Sequence, residues 1–469
     1  MLPDGFTKEG LFFEAKSASD GVPQDFWETY SSFANTFGGR IVLGISEGDD
    51  GKLIVTGVSD PDRTVKILWD NLNNPRMVNI NLLKNEDIRV DTIDEKYVVI
   101  VDVPQADRRI RPVYIKNNIT SGTFKRNNEG DYHCRMDEIK QMIRDSSDQS
   151  SDRDVIEEYG METLDNDSID RFLSEVSARK PGHPWTRMKR DDFLQMVGAA
   201  YSIESGLHPT KVGLLMFGRI QYILRTFNGY FLDYRESDAS NRWNYRIQSN
   251  SGEWSGNIYD FISMVMTRLS VKLGSEFKLD GFSSLGNSGT YMAVREAVIN
   301  ALIHGDYDLS CGTVIELYGD RIEIRNPGTM RVNLKDAYKG GFSDPRNSGL
   351  MTLAMAIGWV ERAGTGIRTM SQLKDDGDIT YLMIEEHADP SMVMVTIGLP
   401  FRHIDCRNDK RTVIKEMRNN PNITQKELSG RIGVSLRTMS SIISELKDSG
   451  RIHREGGRKS GRWVVDDII

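Results

Sequence analysis

The sequence predicts a multidomain α+β protein of three parts, and three observations lead there. At 469 residues the chain is too long for one ordinary core. Short β-branched apolar runs alternate with longer helical stretches through most of its length. The charge is also unevenly divided. The whole chain carries −8, yet residues 407–462 hold fourteen Lys/Arg against six Asp/Glu, so that stretch is +8 and the remainder is −16. A basic module on an acidic body is the charge map of a phosphate-binding domain joined to something else.

Composition narrows the class. A hydrophobic content of 38% with 27% charged residues fits a globular chain and not a disordered one. Uncharged stretches such as Ser348 to Val360 are shorter than the ~20 apolar residues of a bilayer helix. The opening Met1 to Gly10 has no basic region followed by an apolar one. The expectation is a cytoplasmic protein with no membrane partner. Cys134, Cys311 and Cys406 lie far apart and form neither a CxxC pair nor a zinc spacing, so they read as reduced thiols. No internal repeat is visible.

In order along the chain, residues 1–145 form an α+β segment. A helix is expected over Pro23 to Thr36, closed by Gly38 and Gly39, since glycine tolerates a left-handed C-cap. Strands follow at Arg40 to Ser46, around Lys52 to Val58, and at Tyr97 to Val103. Asp145 to Asp154 contains only Ser, Asp, Gln and Arg and reads as an exposed linker. Residues 146–285 read as mostly helical, with strand-like runs at Val212 to Phe217 and near Tyr230 to Tyr234. Gly281 to Gly289 has the composition of a flexible lid. In residues 286–403 one long helix from Tyr291 alternates with strands as far as Pro400. Residues 404–469 make the last module.

That module predicts its own fold. Thr424 suits a helix N-cap, with Glu427 at the capping-box position. Gly433 falls in a turn, Leu436 to Leu446 forms the next helix, and Gly456 to Trp463 is a glycine-tipped hairpin rich in cations. Two short helices about a glycine turn, then a basic hairpin, is the winged helix-turn-helix order. The second helix would turn Ser435, Arg437, Thr438, Ser441 and Ser444 outward and Met439, Ile442, Ile443 and Leu446 inward. Arg454, Arg458, Lys459 and Arg462 suit phosphate contact, which positions a domain on DNA without specifying sequence. The alternative is a winged helix that contacts protein.

Ala293 to Asp306 is apolar almost all round, except that Glu296, Asn300 and His304 recur at i, i+4 and i+8 as one polar stripe. Buried without partners, such groups cost ~1–3 kcal/mol each, and a ligand with a metal ion would satisfy them. Glu296-x-x-x-Asn300 resembles the N-box of the gyrase, histidine-kinase and MutL (GHKL) ATPase superfamily. The resemblance implies an ATP site in which Glu296 activates water and Asn300 holds Mg²⁺. Asp320 to Gly328 resembles the strand and turn that reach adenine, with Asn326 and Gly328 at the contact. Glu361 to Ile367 resembles the second glycine box, where Gly364, Thr365 and Gly366 would cradle phosphates. In this order the pieces match the branch found in bacterial regulators with a helix-turn-helix tail. Two departures stand out. Asn326 replaces the adenine-reading Asp, and His304-Gly305-Asp306-Tyr307 stands where the branch reads His-Arg-Asp-Tyr. Residues 286–403 are thus expected to be a GHKL-like α/β sandwich, with His304 and Asp306 also in its nucleotide pocket.

Phe12 to Lys16, Ser32 to Gly39 and Ile41 to Ile45 resemble the Schlafen/AlbA-like domain. Arg111 to Ile115 and Gly122 to Arg126 continue the match to about residue 140. The resemblance implies DNA or RNA binding. Some members cut RNA with a Glu, Glu, Asp cluster and a divalent metal. Here that implies Glu9, Glu14 and an acid of the 47–50 loop (Glu47 or Asp49) as catalytic residues, Glu9, Glu14 and Asp49 as metal ligands, and Lys16 facing the scissile phosphate. The bland alternative is a solvated acidic turn.

Three functions stay open on this reading. The first is a transcriptional-regulator type protein, with nucleic acid held at both ends and nucleotide occupancy biasing the arrangement. The second is a metal-dependent nuclease gated by nucleotide, and the third a scaffold with degenerate sites. The first carries at most weak ATPase activity. A homo-oligomer is expected by fold-level analogy.

Overall fold

The computed structural model describes residues 8–19, 21–48, 52–148, 150–237, 243–273, 289–360, 364–400, 410–432, 436–456 and 461–466. The chain divides into two compact units: Met1–Ser150 with Ala388–Pro390, and Ser151–His387 with Ser391–Ile469.

The first unit runs β1 (Phe13–Lys16), α1 (Phe26–Asn35), β2 (Gly39–Leu43), β3 (Ile45–Glu47), β4 (Leu53–Val55), α2 (Pro61–Leu72), β5 (Ile88–Ile93), β6 (Lys96–Val103), β7 (Phe124–Asn127), β8 (Gly130–His133) and α3 (Met136–Ser146). Its main sheet has the order β1-β2-β6-β5, with β1 and β2 parallel and the other pairs antiparallel. Helix α1 ends where Gly38, at φ +74°, turns its N–H back to Phe33 O. Phe26, Tyr30 and Phe33 of α1 and Ile41, Val99 and Val101 of the sheet are all fully buried and form the core. Tails of α3 are pinned within this unit, since Arg108 donates to the carbonyls of Asp145 and Ser147 and to Asp148.

The second unit opens with α4 (Asn166–Arg179), α5 (Arg190–Met196), β9 (Ala200–Ile203), β10 (Gly206–Pro209), α6 (Lys211–Phe217) and α7 (Ile220–Thr226). Next come β11 (Leu232–Ser237), β12 (Trp243–Gln248), α8 (Ile258–Lys272), α9 (Gly289–His304), β13 (Thr313–Leu317) and β14 (Arg321–Pro327). α10 (Leu334–Lys339), α11 (Ser348–Ala356), α12 (Gly366–Asp375), β15 (Leu382–Ala388) and β16 (Ser391–Gly398) complete the body. One six-stranded sheet, β12-β11-β13-β14-β16-β15, carries it. β11 and β13 pair in parallel, whereas β13, β14 and β16 pair antiparallel. Helix α9 buries Val294, Val298 and Ile299 in the core this sheet shares with α8.

Three expectations are corrected. Val212 to Phe217 is helix, not strand: Thr210 caps it by accepting from Gly213 N at 3.2 Å, and the run is buried on every side. A fully buried apolar run has no periodicity to separate the two forms. The 145–154 segment is not simply exposed. Asp152 is 2% exposed and accepts from the N–H groups of Gly349 (2.8 Å) and Leu350 (3.2 Å), capping α11. Finally, the stretch after α9 holds three further helices, α10 to α12, besides its strands. The lid expected at Gly281 to Gly289 lies outside the described residues apart from Gly289, which begins α9.

The last module comprises α13 (Lys410–Asn419), α14 (Gln425–Ile432), α15 (Leu436–Asp448), β17 (Ile452–Glu455) and β18 (Arg462–Val465). The capping box forms: Thr424 Oγ1 accepts from Glu427 N at 3.2 Å while Glu427 Oε2 accepts from Thr424 N at 2.9 Å. Met439, Ile442, Ile443 and Leu446 are buried with Trp463, whose indole N–H donates to Ile423 O at 3.0 Å.

Candidate functional site

Helix α9, helix α12 and strands β14 and β16 enclose a cavity of about 140 Å³. That volume suits one flat ring, a cavity of ~150 Å³ being enough for benzene. Glu296, Asn300 and His304 all line it, as their i, i+4, i+8 spacing requires. Asn300 Nδ2 donates to Glu296 Oε1 at 3.1 Å, which leaves the Asn300 carbonyl oxygen as an acceptor. Across from them the chain enters α12 through Gly364, Thr365 and Gly366. Gly364 has φ +58°. A Cβ on Gly366 would lie 2.1 Å from Glu296 Oε1, so a side chain there would turn the carboxylate away from the start of α12. The opposite wall is apolar, made by Ile384, Val393 and Val395, with one polar group, Asn326. Asn326 is 6% exposed and its amide nitrogen donates to Pro327 O at 3.2 Å, so its oxygen remains as acceptor.

His304 is held neutral. Burial, and then the positive charges of Arg346 and Arg331, push its ring down to about 4. Asp306 and Gly328 do not line the cavity. Asp306 is 4% exposed and faces Arg346 at 3.7 Å, and a Cβ on Gly328 would meet Asp306 and Arg346 at 3.0 and 3.1 Å. They serve the wall behind the pocket. The residues that sequence reasoning missed lie in the 342–347 segment. Phe342, Ser343 and Asp344 line the cavity. Arg346 donates to His304 O (3.1 Å) and Thr329 O (2.9 Å), and Asn347 Nδ2 to Ile303 O and Gly305 O at 2.9 and 2.8 Å. These bonds fasten the wall to the end of α9. The signal available was an Arg-Asn pair directly before a long uncharged helix.

In the N-terminal unit Glu14 and Lys16 are both 8% exposed. Glu14 is gripped by Arg126 at 2.6 Å and Lys16 at 3.0 Å, and Lys16 also bonds Asp25 at 2.8 Å. Arg126, 1% exposed, spans Glu14 and Asp131. Burial opposes the charge on Lys16, but Glu14 and Asp25 raise its pKa on balance. Burial, and then the charges of Glu14 and Glu47, raise that of Glu9. Among the described residues no group of three His, Cys, Asp or Glu side chains is placed to hold a metal ion. Asp49 lies outside them.

On the winged module Arg454 lies 5.2 Å and the Lys447 ammonium 5.3 Å from the Trp463 ring centre. Arg462 pairs with Glu455 at 3.0 Å across the hairpin. Arg437, Thr438 and Ser441 belong to α15, although their side chains are outside the described set, as are Ser435, Arg458 and Lys459 altogether. Ser444 is exposed, as expected.

Residues 9–135 match the family model "Schlafen, AlbA_2". Residues 140–233 match a "Domain of unknown function (DUF8451)". Residues 312–396 match "Putative ATP-dependent DNA helicase recG C-terminal", and residues 410–453 "Winged helix-turn-helix DNA-binding". The third match begins after His304, so the α9 residues of the pocket fall outside it. The DIP2311 protein from Corynebacterium diphtheriae is similar at 15% identity over 97% of this chain and 95% of its own, with TM-score 0.41. The N-terminal domain of "Putative ATP-dependent DNA Helicase RecG-related Protein" from Nitrosomonas europaea is similar at 29% identity, over 26% of this chain and 83% of its own, with TM-score 0.21. No curated protein matches. No described helix is long and apolar enough to cross a membrane.

Proposed function

Because the chain joins a Schlafen AlbA_2 domain, a RecG-type HATPase domain and a winged helix-turn-helix, we propose that it is a nucleic-acid-binding regulator whose grip on DNA depends on ATP and Mg²⁺. The observation that carries this reading is the meeting of Glu296, Asn300 and Gly366 in one cavity with an apolar far wall. The donor set fits the ligand. Val393 and Ile384 would face the base, and the Asn326 oxygen would accept from its amino group. Backbone N–H groups of Gly364, Thr365 and Gly366, at the start of α12, would meet phosphate. The Asn300 oxygen is free to hold Mg²⁺, which when bound neutralises phosphate charge. Glu296 would orient water in any hydrolysis. On the duplex, α15 would enter the major groove with Ser435, Arg437, Thr438 and Ser441, while Arg454, Arg458, Lys459 and Arg462 hold phosphates. The AlbA_2 domain would hold DNA or RNA.

The test is anisotropy of a labelled DNA duplex titrated with the full chain, alone and with Mg²⁺ plus a non-hydrolysable ATP analogue. Coupling of ordinary strength changes duplex affinity by about 5–150-fold. Equal affinity in both conditions contradicts nucleotide control, and no binding at low salt contradicts the regulator reading.

A second reading, a metal-dependent nuclease, rests on Glu9, whose pKa is raised by burial and by the charges of Glu14 and Glu47. It requires RNA or DNA cleavage that depends on Mn²⁺ or Mg²⁺ and disappears in Glu9→Gln.

A further inference from the structure

We propose that the edge strand β12 carries a site for single-stranded nucleic acid, built around Trp243 and the arginines beside it. β12 is the outermost strand of the six-stranded sheet, and Trp243 at its start is 50% exposed. Arg235 and Arg246 lie 4.3 and 4.6 Å from the centre of the Trp243 ring. Both are anchored by Asp233, which is fully buried: its Oδ2 accepts from Arg235 Nε at 2.6 Å and from Arg246 Nη2 at 2.8 Å. Joined through one oxygen, the two guanidiniums lie too close together to sandwich the ring. They therefore stand on one side of it and leave the opposite face uncovered by them.

The charge beside the ring is positive. Two residues on, Tyr245 is 38% exposed with Arg268 4.2 Å from its ring, and Arg268 and Lys272 both pair with the buried Glu236. Four cations thus surround two carboxylates, on a chain whose overall charge is −8. Arg235 bonds Asp233 through Nε, so its terminal nitrogens remain as donors for phosphate. The buried carboxylates hold the arginines in place before a ligand arrives, which lowers the ordering cost of binding. A polyanion that also offers flat rings suits both features. Bases stack on an aromatic face whatever their sequence, while the backbone follows the cations. An acidic peptide would use the cations and leave the indole exposed, and a duplex keeps its bases stacked on one another.

The experiment is photo-cross-linking of the full chain to a single-stranded oligonucleotide carrying 5-bromodeoxyuridine, with anisotropy of the same oligonucleotide over a range of salt. Excess unlabelled duplex is present to occupy the winged module. In wild type a cross-link is expected in the tryptic peptide Trp243–Arg246. Trp243→Leu is expected to weaken binding about 5- to 100-fold, whereas Trp243→Phe, which keeps a stacking face, stays close to wild type. Arg235→Gln leaves Arg246 on Asp233 and removes one phosphate contact. It should lower the slope of log affinity against log salt by about 0.7, and it carries the comparison should Trp243→Leu not fold. The proposal is overturned by cross-links that all map elsewhere, or by wild-type affinity in Trp243→Leu together with a wild-type salt slope in Arg235→Gln. It is also overturned if polyglutamate at the same charge concentration displaces the oligonucleotide as well as an unlabelled copy does, which would name an acidic protein as the partner.

Discussion

Gly366 stands directly against Glu296: a Cβ placed on the glycine would lie 2.1 Å from Oε1 of the acid and 2.9 Å from Nδ2 of Asn300. The start of α12 and the polar stripe of α9 therefore touch, and the present position of the Glu296 carboxylate depends on a missing methyl group. Gly366→Ala should push the helix away or turn Glu296 off Asn300. The atoms displaced are the ends of flexible side chains, so the expected cost is under about 1 kcal/mol of stability, read by urea unfolding, with loss of any nucleotide response. A variant as stable and as responsive as wild type would show that the contact is slack.

His304 should make stability pH-dependent. Its ring sits at about 4 in the folded chain against 6.5 ordinarily. The unfolded chain therefore takes up the proton first as pH falls. The contribution of the neutral ring is complete above pH 6.5 and is lost between pH 6.5 and 4, by about 3 kcal/mol in all. His304→Gln should flatten that part of the pH–stability curve, and an unchanged curve would place the titration elsewhere.

Asp152 caps a helix almost two hundred residues away in sequence, through Gly349 and Leu350. Asp152→Ala should cost about 1–2 kcal/mol. Hydrogen exchange should localise the loss to the first turn of α11, and uniform protection there would argue that the cap is replaceable.

Arg126 holds two carboxylates at once, Glu14 and Asp131, at 1% exposure. Arg126→Met leaves Glu14 with Lys16 alone and Asp131 with the hydroxyls of Thr29 and Ser32, and the expected loss is about 1–3 kcal/mol by denaturant unfolding. A loss below ~1 kcal/mol would mean that water or Lys16 takes over.

Much of this was legible in the sequence for definite reasons. The end of α1 was readable because Gly38 marks a left-handed position, and β6 because Val98 to Val101 is a β-branched run. The stripe on α9 could be read because Glu296, Asn300 and His304 share one angular position on a largely apolar helix. Where the period failed, so did the reading: α6 is apolar on every face and carries no helical or strand signature. Long-range polar bonds left no trace either. Asp152 looks like linker filler until its N–H partners are known, and Arg346 and Asn347 act through backbone carbonyls that any sequence would supply. Glu14 shows the same limit from the other side. Its type and spacing suggest chemistry, but only the fold reveals that Arg126 and Lys16 already neutralise it.

The measurement that bears most directly on the central claim is thermal melting with and without Mg²⁺-ATP, in wild type and in Asn300→Ala. Ligand at ~100 times its dissociation constant adds ~2.7 kcal/mol of stability. The account predicts a rise in melting temperature for wild type that needs Mg²⁺ and is absent from Asn300→Ala. No rise at millimolar ATP, or an equal rise in the variant, would contradict it.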